Sequence, residues 1–332
     1  MFVDVSNPVN VNPSSSPIHL TRGADDWLWA VFTLMALSTL AMIFWSHRRP
    51  LGQRVFHHIP VIVLTTMTVA YFAMASNLGR TGVLVEFSHA SRSGVRDIFW
   101  VRWVMWFICA PLLILMLLLT TGVALSDVFL TIFMSWVWIV CYLVGALVVT
   151  RYKWGFWAIG TAALLYVIWL KLGHSRRSIF PAGPATRTGY TAGAGYLSFF
   201  WLIYPIAWAC CEGSNLIGIA GEMIWYGILD LITGPIFLFF VLHRLRNMDY
   251  NALGLYSAKH TGYQGLNGAG PGMVGNTGAG VNAGGTTMGG APAGAQTMGG
   301  GPAGAQTMGH GVNTGGAGGM RHEKNATANT VV

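Results

Sequence analysis

Two ionisable residues, Arg102 and Asp230, stand inside long apolar runs of this 332-residue chain. A charge in such surroundings is costly and is kept where it has a partner or a water-filled cavity. Opposite charges within about 4–6 Å keep each other ionised, so Arg102 and Asp230 are expected to interact, directly or through water. The plainer reading is that Arg102 snorkels alone to an interface. Aromatic residues gather around the same runs. Trp201, Tyr204 and Trp208 fall at i, i+3 and i+7, on one helix face; Trp106 follows Arg102 by four residues, and Trp157 adds another indole. Such a wall either packs a helix bundle or clamps a flat apolar ligand. Lysines occur only at 153, 171, 259 and 324, so the runs holding Trp201 and Asp230 have no amine to condense with a carbonyl. The four cysteines, Cys109, Cys141, Cys210 and Cys211, show no CxxC spacing, so neither a disulfide scaffold nor a zinc site is expected. His57, His58 and His243 read as interfacial residues, not metal ligands.

The composition says what must position these groups. Only 9% of residues are charged, 53% are hydrophobic, and the mean hydropathy is +0.53. A soluble domain carries about 25% charged residues, so the composition argues against a soluble enzyme. A bilayer core of about 30 Å needs about 20 apolar residues per helix. The runs predict seven spans, near 24–46, 57–79, 97–120, 127–150, 154–172, 195–213 and 221–243. Asp127 reads as the N-cap of the fourth. Between the second and third, Val83, Val85 and Phe87 alternate with Thr81, Leu84 and Glu86 and predict a short hairpin.

Three parts follow: an N-terminal segment, 1–23, without a cleavable signal; a membrane domain, 24–246; and a tail, 247–332. The net charge of +8 comes from basic residues scattered singly or in twos and threes between spans, a pattern of membrane topology and not of nucleic-acid binding. Their bias towards the first and fifth connectors (Arg48, Arg49, Arg54, Arg176, Arg177) places the N-terminus outside and the C-terminus in the cytoplasm. The tail repeats a ten-residue Gly/Ala/Pro unit from Thr287 and again from Thr297. Such a repeat buries almost no apolar area and is expected to stay disordered.

These residues carry a resemblance to the microbial (type I) rhodopsins, over residues 24–246. Arg102, Trp106 and Pro111 match that family's third helix; Trp201, Tyr204, Pro205 and Trp208 match the retinal-box motif of its sixth; Leu229, Asp230 and Gly234 match its seventh. Gly145-Ala146-Leu147 and the run from Trp157 match the fourth and fifth. The resemblance implies an all-α, seven-transmembrane-helix, microbial-rhodopsin-like bundle with an internal slot for retinal. It sets Trp106, Trp157, Trp201, Tyr204, Trp208, Asp230 and Gly234 around a vestigial pocket, with Arg102 as the partner of Asp230, Tyr71 as a pocket tyrosine, and Glu212 and Glu222 near the outer mouth.

The departures decide the functional expectation. Where pumping and sensory members have the Schiff-base lysine, this chain has Gly234, which excludes covalent retinal there; Lys153 and Lys171, at helix ends, are expected to lie too far away to substitute. Where the pumps have a proton acceptor and donor, it has Met105 and Met116, which do not titrate. This combination resembles the fungal opsin-related, heat-shock-protein-30-like branch. It implies a non-enzymatic, non-pumping stress-associated regulator or chaperone of the plasma membrane without cofactor or metal. Its partners would be the lipid bilayer, the plasma-membrane proton ATPase and further copies of itself, and not nucleic acid. The alternative is a binding protein for a small apolar ligand (a sterol, a carotenoid or noncovalent retinal) in the vestigial slot. Passive ion conduction through Arg102 and Asp230, and photoreception, are the remaining readings.

Overall fold

The computed structural model describes residues 8–49, 54–85, 94–175 and 183–246. The tail from 247, with its repeat, and Glu86 and Phe87 of the expected hairpin lie outside the described residues. Among the described residues, seven helical spans are long and apolar enough to cross a membrane. A short helix α1 (Pro8–Val11) precedes α2 (Arg22–His47) and α3 (Val55–Ala75). Strands β1 (Thr81–Leu84) and β2 (Val95–Ile98) lead to α4 (Trp100–Leu118), α5 (Leu125–Leu147) and α6 (Lys153–Trp169). The sixth span is α7 (Gly183–Trp201) with α8 (Ile203–Trp208), and the seventh is α9 (Ile219–Leu231) with α10 (Phe237–Arg244). The apolar side chains left exposed on these helices, such as Leu37, Leu40, Phe44, Val69, Phe129 and Phe133, suit lipid and not water.

Backbone hydrogen bonds cannot be shared with water inside a bilayer, so each interruption of a helix needs a local remedy. Pro205 lacks the N–H that would serve the Trp201 carbonyl, and the sixth span breaks at Leu202. Pro235 likewise cannot serve Leu231, where α9 ends. Pro111 frees the Phe107 carbonyl, and Trp136 of α5 supplies the missing donor through its indole N–H at 3.0 Å while stacking on the Phe107 ring. Three wider turns, with hydrogen bonds closing over five residues, follow at Leu170–His174, Ala209–Gly213 and Ile232–Ile236. Such turns recur at functional positions.

The hairpin forms with Thr81 opposite Ile98 and Leu84 opposite Val95. Its second strand takes Asp97 and Ile98, so α4 starts three residues later than the expected third span. Ile18 adds a bridge beside Arg96, and Asn12 bonds Ser76 and Asn77. Residues 8–21 are therefore stitched onto one end of the bundle. The expectation for the sixth span is also corrected: it begins at Gly183, not near 195, because its Thr- and Gly-rich first turns bury Tyr190 and Ala194 against neighbouring helices instead of facing lipid. Asp127 is not an N-cap. It lies in the first turn of α5, after Ala124, and meets His174 at 3.1 Å.

Close packing leaves its mark at Gly227 of α9. A Cβ there would stand 2.5 Å from the indole nitrogen of Trp27, which donates to the Met223 carbonyl at 3.1 Å. Gly155 of α6 has nothing within 4 Å of the same position. Replacing Gly227 by Ala should therefore destabilise the bundle by about 1–3 kcal/mol, whereas Gly155→Ala should cost nothing or slightly stabilise the helix. Thermal unfolding of the two purified variants beside the unaltered protein checks the contrast.

Candidate functional site

Asp230 sits on α9, fully buried, and is the hub of the interior. Tyr71 of α3 donates to its Oδ2 at 2.6 Å, Tyr204 of α8 to its Oδ1 at 2.6 Å, and the Trp106 indole of α4 to the same Oδ1 at 3.1 Å. Three donors from three helices meet one carboxylate. Tyr204 also touches Thr233 at 3.1 Å, whose hydroxyl is anchored on the Leu229 carbonyl.

Arg102 makes no direct ion pair with Asp230 among the described residues; its carboxylate contact is Glu222. Its Nη1 lies 3.3 Å from Glu222 Oε1, its Nη2 contacts the sulfurs of Met223 and Met74, and its guanidinium covers the Tyr226 ring at 4.5 Å. The reason is depth. Arg102 and Glu222 both lie in the first turn of their helices, whereas Asp230 is eight residues further along α9, about 12 Å at 1.5 Å per residue. Tyr71 faces both Arg102 and Asp230 and stands between the two centres.

Glu222 has a second cation. Arg96, from β2, approaches its Oε2 at 2.5 Å and also donates to the carbonyls of Cys211 and Ile217 and to the Asn215 side chain. Asn215 adopts a left-handed backbone (φ 54°), which asparagine tolerates better than most residues. Burial disfavours the charge on Arg96, but the Glu222 and Glu212 carboxylates outweigh it and raise its pKa above the ordinary arginine value. Glu212 accepts from Tyr226 at 3.0 Å. The hairpin, the turn after α8 and the start of α9 are thus locked through one guanidinium.

Three of the aromatic residues expected around the slot meet directly, with Trp106 at their centre. Trp106 touches Tyr204 and Trp201 edge-on, with centroids 5.4 and 6.5 Å apart, and Trp201 leans on Trp138 at 5.1 Å. A polyene between two rings needs about 7 Å, two carbon contacts of ~3.5 Å. Trp208 packs on Tyr142 and Trp154 and donates to the Tyr142 carbonyl. Trp157 stands apart from Trp106, Trp201 and Tyr204: it is half-buried and ties α6 to the Pro205 carbonyl at 3.0 Å. Beside Gly234, a Cβ would meet the Met67 sulfur at 2.6 Å, with Met35 behind it. Met105 and Met116 are buried.

Several members of this interior were not singled out from the sequence. Tyr226 stands four residues before Asp230, and Met67 four before Tyr71, so each shares a helix face with a residue that was. Arg96 carried no such signal, because a hairpin brings it inward. Lys171, read from the sequence only as a helix-end residue, is buried with its Nζ 4.1 Å from the Trp201 ring centroid. The wide turn at Leu170–His174, invisible in composition, carries it there.

Removing the hub should be costly. Asp230→Ala leaves three buried donors without an acceptor, each worth about 1–3 kcal/mol, and should lower stability by more than Tyr71→Phe, which removes one donor of the three. Chemical unfolding of both variants in detergent tests this order.

Comparisons with known proteins agree with this architecture. Residues 22–248 match the family described as Bacteriorhodopsin-like protein. Protein FDD123 of Trametes versicolor is 50% identical over 256 residues, covering 77% of this chain and 89% of that protein. The 30 kDa heat shock protein of Saccharomyces cerevisiae is 30% identical over 267 residues, covering 73% and 78%. Among solved structures, the light-driven proton pump rhodopsin of Coccomyxa subellipsoidea has a TM-score of 0.65 at 30% identity, covering 68% of this chain and 98% of its own.

Proposed function

The chain is a member of the bacteriorhodopsin-like family, and on that premise we propose that it is a non-photoactive, non-pumping opsin-related protein that serves in stress protection at the plasma membrane. The observation that carries this reading is Gly234. The family's chromophore is held through a lysine amine at that position; glycine has none, and Met67 occupies the space a side chain would enter. The residues present therefore do not fit covalent retinal. Met105 and Met116 stand where a proton relay would need carboxyl groups, and a thioether neither gives nor takes a proton in this range.

What persists is the framework: Asp230 with its three donors, and Glu222 with Arg96 and Arg102. Without a chromophore to isomerise, these networks hold the helices in one arrangement. That suits a membrane component acting by contact, as a regulator or folding aid of other membrane proteins, and not by catalysis. The similarity to a protein named for heat shock supports the stress role. The excess of Arg and Lys on the first and fifth connectors supports an outer N-terminus and a cytoplasmic tail. The plasma-membrane proton ATPase is the partner the resemblance suggests. An apolar ligand in the slot is the weaker reading, because Trp106 and Trp201 already touch.

Incubation of the purified protein with all-trans retinal should give no absorption band shifted from that of free retinal, and illuminated vesicles should show no pH change. A shifted band that hydroxylamine bleaches would overturn the proposal; a shifted band that resists it would favour the ligand reading. For the stress role, cells lacking the protein should survive heat shock less well and differ from their parent in proton-ATPase activity.

A further inference from the structure

The end of the bundle where α2 stops and α3 begins carries an unbalanced charge. Arg48, Arg49 and Arg54 lie there, and none of them makes an ion pair among the described residues. Of the described carboxylates only Asp127 stands at this end, and His174 engages it. The opposite end is balanced: Arg80 meets Asp97, and Arg96 and Arg102 share Glu222.

These basic residues are held in place. Arg54 donates from Nε to the Arg49 carbonyl at 2.8 Å and from Nη2 to the His47 carbonyl at 3.2 Å. Its own carbonyl accepts from the His57 and His58 backbones at 2.8 and 2.9 Å. The Arg48 guanidinium lies over the Phe44 ring at 4.4 Å. Beneath them is an aromatic shelf built from three helices. Trp45 of α2 stacks on Phe239 of α10, with centroids 6.0 Å apart, and meets the His57 ring of α3 at 5.4 Å. His243 follows Phe239 by four residues and shares its helix face. His57 is buried, yet neither of its ring nitrogens has a hydrogen-bond partner among the described residues, and Arg49 and His58 are near enough to act on it electrostatically. A buried imidazole needs one partner for its N–H and another for its lone pair.

Unpaired guanidiniums above an unsatisfied imidazole are completed by an anion with several acceptor oxygens. Depth selects a lipid as its carrier. Phe44 is 61% exposed on the lipid-facing side of α2, so the Arg48 guanidinium resting on it lies at the edge of the hydrocarbon layer, level with headgroup phosphates. A phosphodiester brings one negative charge, fewer than the unpaired guanidiniums; a phosphomonoester brings about two. We propose that Arg48, Arg49, Arg54, His57 and His243 form a site for a membrane lipid with a phosphomonoester headgroup. The site requires neither the stress role nor the loss of the retinal lysine.

The test uses the full-length protein in nanodiscs of phosphatidylcholine, doped with phosphatidic acid or, at matched total charge, with phosphatidylserine. Phosphatidic acid should raise the unfolding midpoint by about 3 °C for each tenfold increase beyond its dissociation constant, and phosphatidylserine should leave it near its value in phosphatidylcholine alone. Arg48→Gln combined with Arg49→Gln should weaken the affinity for phosphatidic acid about thirtyfold. Should that pair fail to insert, Arg49→Gln alone is the second variant, with a loss of about fivefold. Equal midpoints in the two anionic lipids would overturn the proposal and mean only a diffuse field at a basic surface. Stabilisation by glycerol phosphate added to neutral discs would overturn it too, since the site would then take a free phosphate. A phosphatidic acid response that survives both substitutions would place the lipid elsewhere and overturn it equally.

Discussion

A carboxylate in the middle of a helix bundle imposes conditions on everything around it. Asp230 is fully buried from bulk solvent, its oxygens are met by protein donors, and three helices each supply one. Tyr71, Trp106 and Tyr204 can reach it only if α3, α4 and α8 stand at fixed distances and rotations about α9. The aromatic contacts then follow: with Trp106 and Tyr204 pinned by their polar ends, their ring bodies meet each other and Trp201. The interior is arranged by what a buried charge requires, and the apolar residues fill in around that arrangement.

The second charged layer works differently. Glu222 binds two guanidiniums, and one of them, Arg96, comes from a hairpin outside the spans. A buried pair contributes modest stability when intact but is strongly destabilising when broken. It fixes the end of the bundle where the hairpin, residues 8–21 and the turn after α8 converge. Between the two layers, Tyr71 touches the Asp230 side and faces Arg102.

Much of the fold was legible because a bilayer imposes a simple rule on composition. Six of the seven spans begin and end within a few residues of the positions the apolar runs indicate, and the hairpin appears where alternation indicates it. The sixth span starts early because small and polar residues pack there against protein, a distinction hydropathy does not carry. The aromatic face of Trp201, Tyr204 and Trp208 was readable from spacing. The partner of Arg102 was not, because sequence gives the type of residue at depth but not the axial offset between helices. Nor was the inward position of Lys171 or Arg96: a wide turn sets one and a strand the other, and neither leaves a periodic signature.

The bond between Trp136 and the Phe107 carbonyl bears on how the chain is made. While α4 is alone in the membrane, the carbonyl freed by Pro111 has no donor, and such a group in hydrocarbon costs several kcal/mol. The donor arrives with α5, from a residue that itself faces outward. During synthesis, then, the fourth helix becomes a comfortable lipid-facing element only once the fifth has entered beside it. Within the bilayer the two helices are therefore complementary, one supplying the donor that the proline of the other leaves wanting.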